Sequence, residues 1–167
     1  MGIMVSPETL RRMPLFAGLD HPLIKAFAMA SEEIEIQKGE WLFHASERAA
    51  YLYIILDGVM EIKIPVKLRD VNIPGLTRAT NGELLGWSAL IDPYIYKMGA
   101  IAVKDTRLVK LDGVRMSELM THNPAAGYKL MNRVLQVVGT RLVDLSVQFV
   151  SLVEGDRYQT LGGKHHL

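Results

Sequence analysis

The hydrophobic pattern changes period twice along the chain. Ser6-Pro7-Glu8 opens a helix with an N-cap serine, a first-position proline and an acid near the positive end of the dipole. A second helix starts at Asp20, because Leu23, Ile24, Phe27 and Ala28 recur at helical spacing. Leu15, Phe16 and Leu19 then form the apolar knuckle between two short helices. After Ser31 the period becomes two: Ile34 and Ile36 alternate with Glu33, Glu35 and Gln37, and Gly39 turns the chain into Trp41, Leu42 and Phe43. Tyr51 to Leu56 is a near-continuous apolar run ending at Asp57-Gly58, a dipeptide favoured in tight hairpins, and Met60, Ile62 and Ile64 alternate with Glu61 and Lys63 beyond it. Val71 to Ile73, Ala100 to Val103 and Leu108 to Leu111 read as further strands, with turns at Pro74-Gly75, Asn81-Gly82 and Lys104-Asp105. Many short strands at this spacing predict an antiparallel jelly roll or barrel with flanking helices, a mainly β fold.

The sheet pattern ends at Asp112. Met116, Leu119 and Met120 suggest a short helix, and Asn123-Pro124 begins the longest helical pattern in the chain. Met131, Leu135, Val138, Leu142, Leu145, Phe149 and Leu152 fall at spacings of four and three, a heptad seam that predicts a homodimer through this helix. Leu130, Val134 and Val137 form a second stripe that gives way to Arg141 and Asp144; in one reading the first half of the helix packs on the sheet while the seam meets a partner. Gly155 is the expected stop. The predicted organisation is thus helices and roll over residues 1–122, a dimerisation helix over 123–155 and a flexible tail over 156–167.

Composition narrows the chemistry. The chain has 167 residues, 49% of them hydrophobic, and 19 Lys+Arg against 18 Asp+Glu give a net charge of +1. This is enough chain for one domain with a sizeable core, and the charge balance argues against non-specific nucleic-acid binding. With no cysteine, disulfides, thiolate metal sites and cysteine nucleophiles are excluded. The longest apolar run, Leu84 to Ile91, is too short to cross a bilayer, and residues 1–15 lack a signal-peptide pattern, so the expectation is a cytoplasmic protein without a membrane span.

The order of elements resembles the cyclic nucleotide-binding domain of the catabolite activator and fumarate-nitrate regulator superfamily. Arg11-Arg12-Met13-Pro14-Leu15-Phe16-Ala17-Gly18-Leu19 is similar to that family's opening segment. Gly39, the run Tyr53-Ile54-Ile55-Leu56-Asp57-Gly58 and Asn81-Gly82-Glu83-Leu84-Leu85-Gly86 match its glycine framework. The resemblance implies a β-roll with a phosphate-binding cassette. In the family that cassette opens on Gly-Glu-Leu and closes on an arginine, the arginine pairing with the cyclic phosphate and the carboxylate accepting a ribose hydroxyl. Here Gly86 stands at the glycine and Trp87 at the carboxylate, while the arginine position falls on Tyr96 or, with a slip of one, on Lys97. The scaffold residues Gly86, Ser88, Ala89 and Leu90 remain. The candidate ligand residues are therefore Gly86, Trp87, Ser88, Ala89, Leu90, Tyr96 and Lys97. Cyclic AMP and cyclic GMP lose both polar anchors, so the cofactor stays unassigned. Trp87, Tyr94 and Tyr96 either stack on a different small ligand or fill the space that a nucleotide would occupy.

Other constellations carry less. His21, His44 and His122 lie on three elements without metal-ligand spacing, and only His44 with Glu40 or Glu47 would suit a cupin-type metal enzyme. No Gly-x-Ser-x-Gly elbow surrounds Ser88. Lys63, Lys67 and Arg69 read as a solvated basic loop, and His165-His166 as part of the tail. No helix-turn-helix follows the long helix in this sequence, so direct DNA binding is not expected. The expected function is a non-enzymatic sensory module with a small-molecule ligand and a protein partner. The alternatives are a ligand-free interaction scaffold, or a piece of a transcription regulator that still binds a cyclic nucleotide.

Overall fold

The structure, a computed structural model, describes residues 2–65 and 77–162. Both predicted N-caps form. Ser6 Oγ accepts from the Thr9 N–H at 3.1 Å to start α1 (Pro7–Arg11), and Asp20 Oδ1 accepts from the Leu23 N–H at 3.2 Å to start α2 (His21–Met29). Between them a 3₁₀ turn, Pro14–Phe16, buries Leu15 and Phe16, and Phe16 packs on Phe27 with ring centroids 5.3 Å apart.

The strands among the described residues are β1 (Ile3–Met4), β2 (Ser31–Ile36), β3 (Trp41–Phe43), β4 (Tyr51–Asp57), β5 (Met60–Lys63), β6 (Thr77–Ala79), β7 (Leu84–Leu85), β8 (Gly99–Ala102) and β9 (Thr106–Asp112). Antiparallel pairing orders them as β1-β2-β9-β4-β7 in one sheet and β3-β8-β5-β6 in the other. The predicted roll is the observed fold. The near-continuous apolar run of β4 has its reason here: Leu52 and Ile54 are buried on one face, Tyr53 and Ile55 on the other. The short strands β1, β6 and β7 had no alternating pattern long enough to announce them. The expected strand Val71 to Ile73, the Pro74-Gly75 turn, Lys67, Arg69 and His165-His166 lie outside the described residues.

One local expectation is corrected. Asp57-Gly58 does not close a hairpin, because β4 and β5 belong to different sheets. Gly58 instead carries the chain from one sheet to the other, with φ at 137° and its N–H donated to Asn81 Oδ1 at 3.0 Å. A Cβ there would lie 2.3 Å from Thr106 Oγ1. Alternation on either side of a turn specifies two strands but not that they pair with each other.

Asp112 ends the sheet and caps α3 (Gly113–His122), its Oδ1 accepting from the Arg115 N–H at 2.9 Å. The long helix α4 (Pro124–Gly162) follows at once. It passes Gly155, the expected stop. A lone glycine costs a helix about 1 kcal/mol, too little to break one of this length. By length and composition the stretch Pro124–Glu154 is also long and apolar enough to cross a bilayer, although Arg133, Arg141 and Asp144 interrupt its apolar runs. The first half of α4 is nevertheless docked on the protein. Leu130 and Val134 are buried, Val137 is half-buried, and two arginines reach backbone carbonyls. Arg133 donates Nη1–H to Leu15 O at 2.7 Å and Nη2–H to Ala17 O at 2.6 Å, and Arg141 donates Nη2–H to Leu84 O.

Gly58→Ala should destabilise the fold by about 1–3 kcal/mol, because it combines a disfavoured φ with a clash against the buried Thr106. Chemical denaturation checks this, and an unchanged midpoint would mean that the crossing between the sheets is loose.

Candidate functional site

Gly86 leaves β7 in the left-handed conformation, φ 73° and ψ 28°, and leads into a 3₁₀ turn, Trp87–Leu90. A Cβ at this position would lie 2.9 Å from Tyr51 O and 3.2 Å from Tyr96 Cε1, so only glycine suits both the dihedral and the approach. Tyr96 is brought there by a loop zipped to residues 46–49. The Ser46 N–H donates to Tyr96 O at 2.8 Å, the Tyr96 N–H to Glu47 O at 2.9 Å and the Ala49 N–H to Tyr94 O at 2.7 Å. Ser46 and Tyr94 hold positive φ values of 72° and 56°, conformations that persist because these bonds fix them.

The Tyr96 ring is buried and stacks on Phe43, with centroids 3.9 Å apart and planes 14° apart. Its hydroxyl donates to Tyr51 O at 2.6 Å. Burial pushes the Tyr96 phenol above its ordinary range and pushes that of neighbouring Tyr53 further still, so both are neutral hydrogen-bonding groups rather than charge carriers.

Beside this cluster lies a cavity of about 150 Å³. Gly86, Trp87, Ser88, Tyr96 and Lys97 line one side of it, together with Phe43, Ile62, Met98 and Gly99, while α4 supplies Val138, Arg141, Leu142 and Leu145. Five of the seven expected ligand residues therefore meet at one hollow. Ala89 and Leu90 do not line it: Ala89 is buried against Gly113, whose Cβ would lie 2.6 Å from Ala89 O, and Leu90 packs on the core. Tyr94 is exposed and also stays outside. The contribution of α4 was missed. Arg141, a cation that follows the Leu130, Val134 and Val137 stripe, was the available signal.

The family model for the cyclic nucleotide-binding domain matches residues 33–123, which contain most of the roll, the Gly86 turn and α3. The chain belongs to the cyclic nucleotide-binding domain family. A solved structure of a candidate cyclic nucleotide-binding protein from Geobacter metallireducens is 34% identical, with a TM-score of 0.72 over 83% of this chain and 99% of that one. The catabolite activator protein of Thermus thermophilus shares the fold at 23% identity and a TM-score of 0.64, over 83% of this chain and 63% of that one. A candidate potassium channel protein of Rhodopseudomonas palustris is 26% identical over 144 residues, 86% of this chain. The chain spans 34% of the length of that curated relative.

Within this cyclic nucleotide-binding domain the heptad positions divide. Met131, Val138 and Leu145 are half-buried toward the roll, whereas Leu135, Leu142, Phe149 and Leu152 are exposed, Leu135 at 66% and Phe149 at 67%. Val143, Val147 and Val150 form a further exposed row beside them. Among the described residues no three His, Asp or Glu side chains converge as a metal site. His44 pairs with Glu47, Nδ1 to Oε1 at 3.0 Å, and stacks on Trp41, while Glu40 accepts the Gln37 N–H at 2.7 Å.

Tyr96→Phe should cost about 1–3 kcal/mol, since it leaves the Tyr51 carbonyl without its donor inside the domain. Equilibrium unfolding in urea measures this. Parent-like stability would show that the hydroxyl is dispensable.

Proposed function

We propose that this domain is a non-enzymatic regulatory module whose altered cassette binds a small ligand other than cyclic AMP, and whose α4 forms a cytoplasmic homodimer. The observation that carries the reading is that one cavity is walled by both the Gly86–Ser88 turn and α4. Occupancy of the cavity and the position of the helix are thereby linked, and a ligand with different affinity for two helix positions shifts their balance. A cavity of about 150 Å³ is the size that holds a single aromatic ring, well below the roughly 300 Å³ at which drug-sized pockets begin. Trp87 stands at the carboxylate position, and Tyr96 or, with a slip of one, Lys97 at the arginine position, so the carboxylate for a ribose hydroxyl and the guanidinium for a cyclic phosphate are both replaced.

A second reading is a ligand-free scaffold for dimerisation and protein docking. It is favoured by Tyr96, which places a buried ring beside the cassette turn with its hydroxyl already committed to Tyr51 O. A piece of a longer regulator that still binds a cyclic nucleotide is the third, and calorimetry with cyclic AMP and cyclic GMP addresses it.

Cyclic AMP and cyclic GMP should bind at least about ten-fold more weakly than in a cassette with its arginine, since the missing charge-assisted contact is worth about 1.5–3 kcal/mol. Isothermal calorimetry with micromolar or tighter binding of either nucleotide would overturn this. For the dimer, Leu135→Glu or Phe149→Glu should yield monomers, because each places a charge in an apolar seam without touching the cavity. Sedimentation velocity reads the change, and a parent chain that is already monomeric at micromolar concentration refutes the dimer.

A further inference from the structure

Arg141 stands where two hollows meet. It lines the cassette cavity and also a larger one of about 410 Å³ on the neighbouring flank of α4, bounded by Leu15, Leu84 and Arg133 among others. Its hydrogen bond to protein among the described residues is the one from Nη2–H to Leu84 O. A guanidinium carries five N–H donors in a planar fork, so this bond leaves most of them unused. Among the described residues it has no ion-pair partner. Glu83 and Asp144 are the carboxylates whose charge it feels, but Glu83 is engaged with the Thr80 N–H and hydroxyl, and Asp144 is exposed one helical turn away. Desolvation accordingly makes the charged form of Arg141 less favourable than in water. A half-buried cation with spare donors, facing an apolar hollow, is completed by an anion.

We infer that the cassette cavity takes a small aromatic or apolar molecule bearing a carboxylate or phosphate, and that Arg141, reaching in from α4, supplies the countercharge. This rests on the sensor reading and names the ligand class for it. Phe43, Trp87 and Tyr96 offer ring surfaces for the apolar body, and Lys97 stands exposed at the rim. The ligand's anion takes the spare donors of the guanidinium that also holds Leu84 O. Because Leu84 leads through Leu85 into Gly86, the shared guanidinium joins the helix, β7 and the cassette turn.

Trp41→Phe leaves Trp87 as the sole indole of the two in the chain, a fluorescence reporter inside the cavity. Titration of this protein with benzoate, phenyl phosphate and neutral benzamide should give saturable changes for the two anions. Benzamide should bind at least about ten-fold more weakly, the factor a single charge-assisted bond confers. Comparing benzoate with phenyl phosphate separates carboxylate from phosphate recognition. Arg141→Gln should abolish the preference for the anions, and Arg141→Lys should keep part of it. If Arg141→Gln unfolds, the benzoate-to-benzamide ratio in the parent and its decline with added salt still decide the matter. Equal binding of benzoate and benzamide overturns the inference and leaves the sensor reading standing, as does an anion preference that survives Arg141→Gln and disappears with Lys97→Gln. Silence of Trp87 toward all three probes at millimolar concentration overturns both.

Discussion

The arrangement of this domain depends on two guanidinium groups held against backbone carbonyls. Arg133 binds Leu15 O and Ala17 O, Arg141 binds Leu84 O, and together with the buried Leu130 and Val134 they fix the first half of α4 to the roll. Hydrogen bonds from a charged group are stronger than neutral ones, and a carbonyl at a turn or strand end is an acceptor with capacity to spare. Without that attachment the cassette cavity would have no outer wall, since Val138, Arg141, Leu142 and Leu145 all come from the helix.

The inner wall is set by packing around Gly86. Its left-handed backbone lets Tyr51 O and the Tyr96 ring approach within a distance that no side chain would tolerate. Tyr96 in turn is pinned by the Phe43 stack, by its bond to Tyr51 O and by the loop zipped to residues 46–49. Phenol and indole thus face the hollow from its roll side. The outcome is a small hollow with apolar and aromatic walls and a cation at its helical edge.

Leu142 connects the hollow to the seam, because it lines the cavity and is also largely exposed on the outer face of α4. A second copy packed along Leu135, Leu142 and Phe149 would lie beside the pocket. In the proposed dimer, ligand and assembly then act on the same turn of helix. The exposed Val143, Val147 and Val150 widen that apolar face beyond a narrow two-helix stripe.

The helix starts at Ser6, Asp20 and Asn123-Pro124, the strands from Ser31 to Lys63 and around Leu108, and the heptad spacing of α4 were legible in the chain itself. Each rests on a local rule of capping or periodicity, which acts over a few residues. The spacing of the short strands predicted the roll, and the glycine framework added the resemblance to the cyclic nucleotide-binding domain. What the sequence did not disclose is which segments meet. Asp57-Gly58 reads as a hairpin and is a crossing between sheets, because strand pairing is decided by the whole core and not by the turn. Ala89 and Leu90 read as ligand residues beside Trp87, yet on a 3₁₀ turn adjacent side chains point in different directions and these two face the core. Arg141 lies 54 residues beyond Trp87 and reads as the polar end of a stripe. Only the docking of α4 across the roll, a long-range packing event, turns it into part of the pocket.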